Sequence, residues 1–205
     1  MGFGNLSIEQ LIAGVVALLV GLTFHEFSHA LVADNLGDRR PRAMGRLTLN
    51  PIAHIDPIGA LMLVVAGFGW AKPVMVNPAA LRGGRGSMAF VAFAGPIANV
   101  AVALVFAVIF RVMAIAGVDE SFFLRLVALI VQLNILLAIF NLIPIPPLDG
   151  YNVALAFLPP RQAMMVQQYA PYGVILLLLL IFLPQSPLRA LLGLAGPITQ
   201  VLIGA

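Results

Sequence analysis

Three stretches of this 205-residue chain, Leu11 to Ala33, Met88 to Phe110 and Leu126 to Ile143, stay apolar long enough to cross a membrane. A hydrocarbon layer of ~30 Å needs about 20 residues at ~1.5 Å helical rise. Inside it every backbone N–H and C=O must find a partner within the chain, so each run is expected to be a helix. Composition leads the same way. Only 9% of residues are charged and 61% are hydrophobic, whereas a soluble domain carries about 25% charge. So few charges cannot coat a water-facing surface, which excludes a soluble globular domain and predicts an all-α polytopic membrane protein. We read residues 1–205 as a single transmembrane domain, with a core over 11–151 and a C-terminal helical region over 152–205. The absence of Cys rules out disulfides, thiolate metal sites and a cysteine nucleophile, leaving His and carboxylates as ligands. Net charge is only +3, with the basic residues in short stretches between apolar runs. That pattern sets membrane orientation and argues against nucleic-acid binding.

The first run lacks a basic start and a small-residue cleavage site, and its second half carries His25, Glu26 and His29, so a retained span is expected rather than a removable leader. Beyond it come the polar stretch Asp34 to Arg46 and the pairs Asn50-Pro51 and Asp56-Pro57, whose prolines favour extended backbone before them. The apolar segment Ile58 to Trp70 has about 13 residues, below the ~17 needed to span. Arg39, Arg40, Arg42 and Arg46 precede it while Lys72, Arg82 and Arg85 follow it, and the positive-inside rule puts both groups on the cytoplasmic face. A re-entrant element satisfies both observations. Its end, Gly67-Phe68-Gly69-Trp70, and the alternation of Val74 and Val76 predict a hairpin or extended loop. Such backbone is tolerated at depth only where protein or a wet cavity surrounds it. The charge-balanced link from Arg111 to Arg125 fits the outer face, and Pro144, Pro146 and Pro147 end the third span. Tyr172 to Leu183 and Leu188 to Ile203 predict a C-terminal helical hairpin, the first arm short unless it reaches back toward Val166.

His25-Glu26-Phe27-Ser28-His29 reads H-E-x-x-H. At i, i+4 both imidazoles lie on one helix face and can share a Zn²⁺, with Glu26 beside it as a base. Three protein ligands leave zinc a fourth position for water, whose pKa falls to about 7. Three ionisable groups within two turns of a spanning helix are costly in hydrocarbon, which favours function over mere interhelical hydrogen bonding. From His25 to Asp34 the helix rises ~13 Å, so the site is expected in the inner half of the membrane. His54, Asp56 and Asp149, and less readily Asp34, are the candidates for a third ligand, and spacing alone does not choose among them.

These residues carry a resemblance. His25 to His29 on one helix, Ala94-Gly95-Pro96-Ile97-Ala98-Asn99 early in the next, and Asn141 through Pro144 to Leu148-Asp149-Gly150 after a third resemble, in that order, the site-2 protease family of intramembrane zinc metalloproteases. The resemblance covers roughly Leu11 to Tyr151. It implies a three-helix catalytic core, one zinc ion per chain held by His25, His29 and Asp149, and Glu26 as the catalytic base. It also implies cleavage of peptide bonds in or near transmembrane segments of other membrane proteins. The runs Asn50 to Pro57 and Trp70 to Val74 are similar to the compact branch of the family, and the short link between the second and third core helices has no room for a PDZ domain.

Other candidates carry two readings each. Asn99 either hydrogen-bonds substrate or the tetrahedral oxyanion or joins helices. Asn141 either orients substrate or Asp149 or caps a broken helix end. His54 is read as a gate that visits the open zinc position or as a structural loop residue, and Gly67 and Gly69 as a clamp that pairs with an unwound substrate strand or as a plain turn. The rival function is a metal-binding membrane protein without peptidase activity, such as a zinc transporter. Transporters usually show repeated halves, and nothing in this chain recurs. A prenyl-processing metallopeptidase is a second alternative, disfavoured by the Leu148-Asp149-Gly150 resemblance. The expected location is a prokaryotic-type plasma membrane with the site facing the cytoplasm.

Overall fold

The computed structural model describes residues 7–66, 69–118, 122–183 and 185–204. Helix α1 (Ile8–Asn35) begins three residues earlier than the apolar run because Ser7 and Gln10 cap it reciprocally, the Ser7 hydroxyl accepting from the Gln10 N–H and the Gln10 carboxamide from the Ser7 N–H. A single helical turn, α2 (Arg40–Ala43), interrupts the polar stretch, and α3 (Pro57–Ala66) follows a short 3₁₀ turn at Pro51–His54. Then α4 (Gly84–Ile115) and α5 (Phe122–Asn141) run antiparallel to each other. Three helices, α1, α4 and α5, are long and apolar enough to cross a membrane.

These three pack pairwise into a bundle. On α1 the buried stripe repeats every fourth residue through Ala13, Ala17, Gly21, His25, His29 and Ala33, the spacing that keeps side chains on one helical face. Small residues set the contact. Ala17, Val102 and Ile130 form one buried cluster, and Ala103, Ala107, Val131, Ile135 and Ala195 another. A Cβ on Gly21 would sit 2.7 Å from Leu137 Cδ1 and 3.3 Å from Asn134 Oδ1, so a larger residue at 21 would make these α5 side chains shift. Lipid tails are as apolar as leucine, so such close van der Waals contact is what distinguishes helix from lipid. The outward face of α4 stays exposed at Phe90, Val105, Val108 and Ile115, as a lipid-facing surface should.

Helix α3 covers only 10 residues, about 15 Å at helical rise, and the chain after it is extended. The expected hairpin reduces to one antiparallel bridge, Ile55 to Ala71, with the Lys72 N–H donating to the His54 carbonyl at 2.9 Å. Among the described residues there is no β-strand. Gly67 lies outside them. Gly69 is pressed onto α3, where a Cβ would fall 2.2 Å from the Gly59 carbonyl oxygen, so its glycine serves close packing.

An ionic clasp holds this segment at the inner end of α1. The buried Asp34 carboxylate takes Arg39 at 3.0 Å and Arg42 at 2.8 Å, while buried Asp38 takes Arg40 at 3.1 Å and the Asn77 N–H at 2.6 Å. Arg82 reaches the Asn35 carbonyl at 2.7 Å. Asp34, a weaker candidate for the metal, is therefore spent on arginines.

After α5 the chain turns sharply into α6 (Asp149–Phe157), then α7 (Pro160–Gln167) and α8 (Gly173–Phe182). The short C-terminal run does reach back. Residues Pro160–Gln167 and Ala170–Phe182 form a pair bent by 45° whose combined length and apolarity pass for a fourth crossing. The second arm is two pieces, α9 (Pro187–Gly193) and α10 (Ala195–Ile203), the latter packed on α4 and α5.

Candidate metal centre

Asp149 is the first residue of α6, and the turn that delivers it depends on its neighbour. A Cβ at Gly150 would lie 2.1 Å from the Leu142 carbonyl oxygen, so only glycine lets the chain fold back at this point. The turn carries Asp149 against the face of α1. His25 Nε2 and His29 Nε2 are 3.0 Å apart, and Asp149 Oδ2 lies 3.0 Å from the first and 3.3 Å from the second. The choice among third-ligand candidates is thereby made by geometry: among the described residues, His25, His29 and Asp149 alone form a group whose donor atoms converge.

The protons on the two rings follow from their outer partners. His25 Nδ1 faces Asn99 Oδ1 at 2.7 Å and His29 Nδ1 faces the Val91 carbonyl at 2.7 Å. Both partners are oxygen acceptors, so each Nδ1 carries the hydrogen and each Nε2 turns a lone pair inward. Three acceptors then face one another, and Asp149 Oδ2 is buried without a hydrogen-bond donor. Such a cluster repels itself unless a cation sits among its atoms. The ligands of a tetrahedral zinc with bonds of ~2.0–2.1 Å lie roughly 3.3–3.4 Å apart, a few tenths from the observed spacings. Gly95 keeps the space open, since a Cβ there would lie 2.5 Å from His29 Nε2 and 2.7 Å from His25 Nε2. The residues present therefore fit zinc, by donor chemistry, spacing and room.

Glu26 is buried beside this group, and its carboxylate accepts a hydrogen bond from the Val74 N–H at 3.2 Å. Val74, after α3, is thereby brought to Glu26.

For two of the residues with paired readings the bonds match the structural alternative. Asn99 is fully buried, its Nδ2 donating to the Gly21 carbonyl at 3.0 Å and to Asn134 Oδ1 at 2.9 Å. Both amide hydrogens are used, so none remains for substrate or an oxyanion. His54 does not approach the metal group either. Its Nε2 is held by the Thr48 carbonyl at 2.9 Å and its ring is buried in the 51–54 turn, because the bridge to Ala71 fixes that turn in place. Asp56 caps α3 by accepting from the Gly59 N–H at 2.8 Å. Asn141 bonds its own helix, Nδ2 to the Leu137 carbonyl at 3.0 Å, and is only half-buried. Sequence reasoning missed Asn134 and the steric role of Gly95. The amides Gln132 and Asn134, set among apolar residues of the third span, were a usable signal, since polar groups at that depth need a partner.

Comparison with known proteins gives this site its class. Residues 112–183 match peptidase family M50. YwhC of Bacillus subtilis (strain 168), named as a zinc metalloprotease, is 38% identical over 179 residues, which cover 83% of this chain and 80% of that protein. Rip2 of Mycobacterium tuberculosis (strain H37Rv), also named as a zinc metalloprotease, is 32% identical over 183 residues, 83% of this chain and 66% of that protein. The Rip2 of Mycolicibacterium smegmatis is 28% identical over 175 residues with the same coverage. No solved structure matches the chain at a significant level. The fold and site are those of a multi-pass membrane zinc metalloprotease, favoured over a zinc transporter. The chain belongs to peptidase family M50, the site-2 protease family of intramembrane proteases.

Proposed function

We propose that His25, His29 and Asp149 hold the single zinc ion and that Glu26 is the general base of an endopeptidase acting on transmembrane segments of other membrane proteins. The observation that carries this reading is the convergence of three buried acceptor atoms, each ring's N–H turned outward. Bound there, zinc supplies Lewis acidity toward the scissile carbonyl and lowers the pKa of a water toward 7. Glu26 takes the proton of the attacking water and returns it to the leaving amine, a role a buried carboxylate next to the metal group is placed to fill.

A helical substrate hides its carbonyls in its own hydrogen bonds, so it unwinds locally before attack. The non-helical, partly exposed residues 69–77, anchored at Ala71 and Asn77, offer the unwound stretch a backbone to pair with, with Gly69 at their start as part of the clamp and Asn141 available to orient the chain. The arginine clasp at the inner end of α1 supports a cytoplasm-facing site in a prokaryotic plasma membrane, as does the bacterial origin of the relatives. Residues 1–205 act as one metalloprotease domain, the region 152–205 bracing the core. The test is cleavage of transmembrane-peptide fusions in detergent by zinc-loaded protein, beside Glu26→Gln and chelated samples. Product masses inside the apolar segment from wild type alone support the reading; cleavage by Glu26→Gln overturns the role of Glu26.

A further inference from the structure

Behind His25 lies a line of buried amides that the proposed chemistry does not use. Asn134, in the middle of α5, donates from Nδ2 to the Ile130 carbonyl of its own helix at 2.8 Å, which leaves its Oδ1 to accept from Asn99 at 2.9 Å. Asn99 Nδ2 also donates to the Gly21 carbonyl at 3.0 Å, and its Oδ1 accepts from His25 Nδ1 at 2.7 Å. Both asparagines are fully buried. We propose that Asn99 and Asn134 are positioning residues that lock His25 in the tautomer able to bind zinc.

This rests on the reading of His25 as a zinc ligand, and the direction of the bonds carries it. Rotating the Asn99 amide by half a turn would set its oxygen against two acceptors, the Gly21 carbonyl and Asn134 Oδ1. The same rotation would point N–H groups at His25 Nδ1, forcing the ring's hydrogen onto Nε2, where it would block the metal. The Asn134 acceptor, oriented by Ile130, makes that state costly, because a buried polar group facing its own kind is left unsatisfied. Simple glue between α4 and α5 needs no such direction, since two amides can satisfy each other in either sense. His29 needs no relay, because its partner is the Val91 backbone carbonyl, which cannot flip. The two histidines are thus held by different means, and only one lock is open to side-chain substitution.

The experiment measures zinc affinity by chelator competition, and the visible spectrum of the Co²⁺-loaded protein, for wild type, Asn134→Leu, Asn134→Ser, Asn134→Asp and His25→Ala in detergent. Losing the group bonded directly to a ligand weakens binding by about 10- to 100-fold. Asn134 acts one bond further out, through Asn99, so a loss near the lower end, about 10-fold, with altered Co²⁺ bands, is expected for Asn134→Leu and Asn134→Ser. Asn134→Asp recovers most of the affinity, since its buried neutral carboxyl offers the same acceptor to Asn99 and a donor to Ile130. Wild-type affinity and spectra in the leucine and serine variants overturn the proposal. So does an aspartate variant as weak as the leucine one, because packing rather than the acceptor would then matter. Serine adds no bulk and stands in if leucine does not fold; failure of both to fold would mean that the amide holds the bundle, and the proposal falls. The arms separate the two readings: if His25→Ala binds zinc like wild type, the ligand assignment fails, whereas loss in His25→Ala without loss in the Asn134 variants removes only the relay.

Discussion

The half of the α1–α4–α5 bundle around the metal group (the inner half) and the half remote from it (the outer half) are built from the same three helices and held together differently. In the outer half the packed residues include Ala17, Val102, Ala103, Ala107, Ile130 and Val131, all apolar. Further along the same faces, one turn on in α4 and α5 and two in α1, the buried residues include His25, His29, Asn99 and Asn134, which make directed hydrogen bonds of 2.7–3.0 Å. Dispersion depends on close fit but has no direction, while hydrogen bonds in a low-dielectric interior fix both angle and protonation. The comparison teaches that cohesion and chemistry are separated along the bundle axis.

The largest test of that separation is in the inner half. Asp149→Ala is expected to lose zinc and activity together, and Glu26→Gln to keep zinc while losing about 10²- to 10⁴-fold in cleavage rate, measured as metal content and product formation on the same preparations. Retained zinc in Asp149→Ala would break the assignment of the third ligand. Next, Gly95→Ala places a methyl group 2.5 Å from His29 Nε2, and zinc affinity is expected to fall by at least about 100-fold, more than an outer-shell loss. Chelator competition checks it.

In the outer half the same kind of insertion should act on stability alone. Ala107→Leu overpacks a buried contact and is expected to cost about 1–3 kcal/mol, seen as a lower unfolding midpoint in detergent, with zinc affinity unchanged. A parallel fall in affinity would show that the halves are coupled. The smallest effect belongs to Arg111, an exposed side chain at the far end that caps α10 by donating to the Leu202 and Val201 carbonyls at 2.7 and 2.8 Å. Arg111→Ala is expected to cost under about 1 kcal/mol, resolved by thermal unfolding, and to leave cleavage unaffected.

Much of this was readable in the chain. The spans, the short α3 and the break after α5 follow from apolar length and proline, both local properties. The i, i+4 histidines announce their shared face for the same reason. Asn99 was visible but its purpose was not, because a lone amide in a span is equally suited to substrate, oxyanion or neighbour until its partners are known. His54 carried both readings because imidazole is a good ligand wherever it occurs, and only its bond to the Thr48 carbonyl and the bridge from Ile55 to Ala71 show that its ring is tied into a turn.

The sequence by itself determined that the protein lives in a membrane, where its helices run, and that one of them carries two histidines on one face with a glutamate between them in the chain, since hydropathy and helical period act within a few turns. Tertiary structure alone decided that Asp149, not His54 or Asp56, completes the group, that Gly95 clears room for the ion, and that Asn99 faces His25. Those choices depend on how residues far apart in the chain are brought together, His25 and Asn99 across 74 positions to 2.7 Å and His25 and Asp149 to 3.0 Å, a proximity that no local pattern encodes.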